Sequence, residues 1–130
     1  ALLAREAREL GALLVHYSTD YVFDGTSRTP YTEDDVPAPL NVYGRSKLHG
    51  EEGIAAVGGV FLIFRTRWVY SHRGKNFLVK ILSRAADGQP LRVVNDQQGV
   101  PNSARSIAEA TRMALGPSGT CVARQRSALE

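Results

Sequence analysis

Apolar positions open the chain at helical spacing: Leu2, Leu3, Ala7 and Leu10 share one face of "ALLAREAREL" among strong helix formers, and Gly11 follows as a cap. The next run, "ALLVHYS", is almost continuously apolar and contains Val15 and Tyr17, which suits a strand buried on both faces of a parallel sheet. Residues 24–39, "DGTSRTPYTEDDVPAP", are dense in Gly, Pro and Asp and predict a surface loop. Asn41 then suits an N-cap for the helix "VYGRSKLHGEEGIAAV", weakened by Gly44, Gly50 and Gly53 and stopped by Gly58-Gly59. "VFLIFRT" crowds β-branched and aromatic residues into seven positions and predicts a central strand. Beyond the loop "SHRGK", the stretch "NFLVKILSRAADG" sets Phe77, Ile81, Leu82 and Ala85 on one side of a helix that closes on Gly88. "LRVVN" predicts a short strand, "DQQGVPN" a loop, and "SARSIAEATRMAL" a capped helix with Ile107, Ala110, Ala114 and Leu115 inward.

This alternation of helices and strands is that of an α/β protein with a parallel sheet and flanking helices. In such sheets ligands bind outside the carboxyl ends of the strands. "STDY" places Ser18, Thr19, Asp20 and Tyr21 at one such end, and "RTRWVYS" places Thr66, Arg67, Trp68 and Tyr70 at another. Tyr43 and Lys47 begin the helix between them, so three segments are expected to meet on one rim.

Tyr43 and Lys47, four apart, share a helix face. A free phenol titrates near pH 10, and a neighbouring ammonium lowers that value toward the range of a working acid or base. A hydroxyl held at a strand end, such as Thr19, can donate to the same substrate oxygen and stabilise charge developing there. These parts suit reduction of a carbonyl, with hydride reaching carbon while Tyr43 protonates oxygen. Each part has a plainer reading by itself: the Tyr/Lys pair as a solvated face with the lysine stem over the ring, "STD" as a turn, Trp68 as core or interface. Their joint order at one sheet edge favours chemistry.

Composition narrows the class. The chain has 130 residues, 43% of them hydrophobic, enough for one domain or a piece of one. Sixteen Lys+Arg against thirteen Asp+Glu give +3, spread without a basic run, so nucleic acid is not an expected partner. Cys121 is the single cysteine and His16, His49 and His72 lie far apart, which argues against a disulfide or a metal site and fits the cytoplasm. No apolar stretch nears the roughly 18 residues of a membrane span. The start on Ala1 in mid-helix and the aperiodic close "ARQRSALE" predict a piece of a longer chain, with 116–130 a poorly matching tail, disordered or in part a cloning remnant.

Taken in order and spacing, "HYSTDYVFDG", "YTEDDVPAPLNVYGRSKLHGEE", "FRTRWVYS", "GKNF" and "NDQQGVPN" resemble the dTDP-4-dehydrorhamnose reductases, which are extended short-chain dehydrogenases/reductases. The match runs to about residue 115. The resemblance implies the catalytic and substrate-binding half of a Rossmann-type enzyme that reduces the 4-keto group of a dTDP-6-deoxy sugar to dTDP-L-rhamnose with NADPH, or less often NADH. It implies Thr19, Tyr43 and Lys47 as the catalytic set, with Tyr43 the proton donor and Lys47 also holding the nicotinamide ribose. Asp20, Tyr21, Trp68 and Asn76 match positions around the sugar nucleotide. Expected partners are the dTDP-sugar and, in a homodimer, a second copy of the chain. Related readings are the non-catalytic β subunit of methionine adenosyltransferase, which lacks the tryptophan of "RTRWVYS", and nucleotide-sugar epimerases or dehydratases.

Three features depart from the family pattern. Arg67 stands where a small residue is usual, and Asn102 follows Pro101 where threonine is usual. The 130 residues also hold no GxxGxxG turn between strand and helix, the motif whose backbone N–H groups hold a pyrophosphate. Weak or no NADPH binding and little or no activity are therefore expected of these residues alone.

Overall fold

The apolar run before Ser18 forms a strand but is not buried on both faces as expected: Leu14, Val15 and His16 are half-buried and Tyr17 is exposed. In a computed structural model, which describes residues 1–95, 97 and 99–116, the chain divides into two units, with the boundary between Thr66 and Arg67. The proposed tail beyond residue 116 lies outside the described residues.

The first unit runs α1 (Leu2–Glu9), β1 (Leu14–Thr19), a one-turn 3-10 helix (Asp20–Val22), α2 (Val42–Val57) and β2 (Phe61–Thr66). β1 and β2 are parallel, in register from Leu14 opposite Phe61 to Thr19 opposite Thr66, with α2 as the crossover between them. Parallel neighbours need such a connection because the chain must return to the starting edge. α2 packs on α1, β1 and the 3-10 turn, and Ala4, Val22 and Ile54 form the buried apolar centre. α1 ends as the sequence predicts: Gly11 at φ 62° lets its N–H reach Arg8 O at 3.1 Å while Ala12 N–H reaches Ala7 O at 2.8 Å. Asn41 also caps as predicted, its Oδ1 accepting the Gly44 N–H at 2.7 Å.

The second unit contains β3 (Val69–Tyr70), α3 (Phe77–Ala86), β4 (Asn102–Ser103) and α4 (Ala104–Leu115). β3 and β4 pair in parallel, Val69 opposite Asn102 and Tyr70 opposite Ser103. Ser103 Oγ caps α4 by accepting the Ser106 N–H at 2.9 Å.

Several expectations from periodicity need correction. Leu2, Leu3 and Leu10 are exposed, and Ala4 is the residue α1 buries. α3 and α4 bury none of their side chains, and Phe77, Leu82 and Ala110 face solvent. β2 pairs on one side only among the described residues, so it is not central there, and every one of its residues is half-buried. "LRVVN" forms no strand; Leu91, Val93 and Val94 are exposed. The common cause is physical: β-propensity and amphipathicity express a preference for a partner surface, and the described residues present none at these faces.

Candidate active site

β1 delivers its last residues to the sheet edge with little freedom. Thr19 is 4% exposed, and its Oγ1 accepts the Tyr21 N–H at 3.3 Å, which turns the chain into the 3-10 helix. Its own proton points to Asp20 Oδ1 at 3.4 Å, a length at which a hydrogen bond is weak, so the hydroxyl can be redirected to a substrate oxygen. Opposite it, Thr66 Oγ1 donates to Ser18 O at 3.2 Å and ties the two strand ends together.

The first turn of α2 is pressed against this edge. Gly44 is buried, and a Cβ there would collide with the Tyr21 carbonyl oxygen and touch Pro39. The residue that weakens the helix in propensity is thus the one that lets it approach the turn. The approach brings Tyr43 and Tyr21 into an edge-to-face pair, ring centroids 6.0 Å apart at 75°. Tyr43 remains 56% exposed, open to a ligand. One turn on, Lys47 Nζ donates to Tyr17 O at 2.7 Å, so the ammonium is fixed on the strand that carries Thr19. Thr19, Asp20, Tyr21, Tyr43 and Lys47 are therefore held together by one strand end, one turn and one helix start.

Other groups in this unit escaped the sequence reading. Glu51, 6% exposed, receives Arg65 Nη2 at 2.7 Å and Arg65 Nε at 3.2 Å on both carboxylate oxygens. Arg65 also lies over the Phe23 ring, 5.0 Å from its centroid. A signal was present: an arginine inside the apolar "VFLIFRT" needs a partner, and Glu51 is one turn beyond Lys47. His16 Nε2 is buried without a hydrogen-bond partner. Burial first, then the Lys47 charge, lowers its pKa below the ordinary 6.5, while Glu51 opposes.

The loop after Phe23 is built by local bonds. Phe23 stacks on Tyr31 at 4.3 Å, and Tyr31 Oη donates to Asp24 Oδ1 at 2.6 Å. That hydrogen bond and the Thr26 N–H hold the Asp24 carboxyl below its usual pKa.

The remaining predicted residues belong to the second unit. Trp68 is 42% exposed and has φ 44°, a left-handed conformation that costs a bulky residue about 1–3 kcal/mol and is concentrated at functional sites. The Arg67 guanidinium lies 4.9 Å from the centroid of its ring. Asn76 caps α3, with Oδ1 accepting the Val79 N–H at 3.1 Å and Nδ2 donating to Ser71 O at 2.6 Å. Its amide is thus already engaged in closing the loop 71–76. Tyr70, expected at the end of the second long strand, lies instead in β3, because β2 stops at Thr66.

Comparison with known proteins gives this arrangement a family. The pattern of the RmlD substrate binding domain matches residues 1–122. A dTDP-4-dehydrorhamnose reductase of Burkholderia thailandensis is 52% identical over 114 residues, 88% of this chain and 38% of the relative. One from Salmonella typhimurium is 48% identical over 113 residues, 87% of this chain and 38% of the relative. The crystal structure of a dTDP-4-dehydrorhamnose reductase from Bacillus anthracis, in complex with NADP, has a TM-score of 0.83 at 34% identity, with 91% of this chain and 43% of that one covered. The chain spans less than half the length of these relatives, and its α/β fold with parallel strands is theirs in that part. Matched over nearly its whole length, the chain belongs to the RmlD substrate binding domain family.

Proposed function

We propose that these residues form the catalytic and substrate-binding part of a reductase that converts the 4-keto group of dTDP-4-dehydro-6-deoxy-L-mannose to the alcohol of dTDP-L-rhamnose. The names of the relatives support the reaction. The observation that carries it in this chain is the half-exposed Tyr43 phenol on the helix that anchors Lys47 to the Tyr17 carbonyl. NADPH, with NADH as the alternative, would supply the hydride, and Tyr43 and Lys47 would hold its nicotinamide ribose. The NADP in the Bacillus anthracis structure supports this choice.

In this reading Tyr43 gives its hydroxyl proton to the substrate oxygen as that oxygen becomes an alcohol. The Lys47 ammonium stabilises the phenolate that remains. Thr19 turns its weakly held proton toward the same oxygen, and burial at the strand end fixes its aim. Asp20, Tyr21, Trp68 and Asn76 bind the sugar nucleotide, Tyr21 through the ring that already touches Tyr43. The intact protein acts on a small dTDP-sugar, forms a homodimer and works in the cytoplasm, without nucleic acid. Among the described residues no helix is long and apolar enough to cross a membrane.

The test is Tyr43→Phe in the intact protein, with NADPH consumption followed on the 4-keto sugar nucleotide. Loss of general acid catalysis should lower kcat by roughly 10²–10⁴-fold. Retention of most of the rate would refute the assignment of Tyr43.

A further inference from the structure

Arg67 and Asn102, the two positions at which the side chains depart from the family pattern, meet in the second unit. The Arg67 backbone N–H donates to Asn102 Oδ1 at 3.0 Å. The Asn102 N–H donates in turn to the Trp68 carbonyl at 3.3 Å. One residue thus brackets the dipeptide 67–68 from its first donor to its last acceptor, and between these points Trp68 holds φ 44°. The Arg67 guanidinium lies over the indole, 4.9 Å from its centroid. It rests against Gly99, where an added Cβ would stand 2.5 Å from Arg67 Nε.

The two bonds differ in what they demand of position 102. The bond to the Trp68 carbonyl is a ladder bond, and any residue except proline could supply it. The bond from the Arg67 N–H needs a side-chain oxygen at the reach of Asn or Asp. A bulky residue at positive φ relaxes to an ordinary region unless its flanking peptides are held. Side-chain identity at 102 therefore supplies the second anchor of the left-handed turn.

We propose that Asn102 is a positioning residue for Trp68: by holding the Arg67 N–H it fixes the strained backbone and keeps the indole, with the guanidinium against it, as a set platform for the sugar ring of the substrate. This rests on the reading of Trp68 as a substrate-binding residue. A preset platform lowers the ordering cost of binding, so the effect of Asn102 falls on substrate affinity and not on proton transfer by Tyr43.

Fluorine NMR of the intact protein labelled with fluorotryptophan tests the clip directly. Trp68 is the only tryptophan of these 130 residues, and its resonance is identified by its loss in Trp68→Phe. Asn102→Ala should shift and broaden that resonance, and Asn102→Asp, which keeps an oxygen at the same reach, should restore it. In the same variants KM for the dTDP-4-keto sugar should rise roughly three- to tenfold with alanine, the worth of one hydrogen bond, and return toward wild type with aspartate, while kcat stays within about twofold. An unchanged Trp68 resonance in Asn102→Ala overturns the proposal. A moved resonance with unchanged KM supports the clip and overturns the platform role of Trp68, which separates the two failures. Amide hydrogen exchange in the unmodified protein needs no variant: protection of the Arg67 N–H supports the clip, and exchange at the rate of a free amide overturns it.

Discussion

His16 shows how much a single position depends on its surroundings. In sequence it is one of three scattered histidines, and in the structure its Nε2 is buried and unpartnered, with Lys47, Glu51 and the Ala1 ammonium the charged groups that act on it. Its folded pKa lies below 6.5, so the unfolded chain binds the proton more readily. The stability contributed by neutral His16 is therefore full above about pH 6.5 and is lost as pH falls from there through the folded pKa. Urea midpoints measured across that window should fall with acidification in the parent chain, and His16→Gln should flatten this part of the curve. Equal slopes for both proteins would remove His16 as the cause. Residue identity was legible for Tyr43 and Lys47 because helical spacing alone puts them on one face, whereas the anchoring of Lys47 by the Tyr17 carbonyl depends on a neighbour thirty residues away. The Glu51–Arg65 pair was hidden in the same way, since its members lie on different elements.

Elements add constraints that propensity misreads. Gly44 weakens α2 as a helix, and replacing it by alanine should gain up to about 1 kcal/mol on propensity. The new Cβ would meet the Tyr21 carbonyl, which is backbone and cannot rotate away, and overpacking of this kind costs about 1–3 kcal/mol. The collision wins, and Gly44→Ala should lower the melting temperature and also raise KM, because the displaced elements carry Tyr43 and Tyr21. A more stable protein of normal activity would show that the turn can yield. Between α2 and β2 the ion pair sets a second test. Arg65→Ala leaves the Glu51 charge buried and uncompensated and should cost about 3 kcal/mol, at the low end for buried pairs because a quarter of the arginine side chain is exposed. Replacing the pair together by Arg65→Met and Glu51→Leu should recover most of that loss in denaturant unfolding. The capped starts at Asn41 and the Gly11 close of α1 were readable because a cap is a contract among residues a few positions apart. "LRVVN" was not, because a strand exists only with a partner to take its hydrogen bonds.

At the scale of the whole molecule, these 130 residues hold no GxxGxxG sequence, and in the proposed reading Tyr43 and Lys47 hold the ribose. The 130-residue chain by itself should bind NADPH weakly, and micromolar affinity by isothermal titration would contradict this. The amino-acid sequence was enough for the family, the order of the main helices and the two long strands, because motif spacing and capping act over short separations; Thr19, Tyr43 and Lys47 were its candidates for the chemistry. Only the tertiary structure settled which apolar faces are covered, that Gly44 is a contact and not a flaw, and that the Arg67 N–H is held by the Asn102 side chain. Those outcomes rest on backbone approach and hydrogen bonds between residues distant in the chain. Local pattern carries no record of such contacts until the fold closes them.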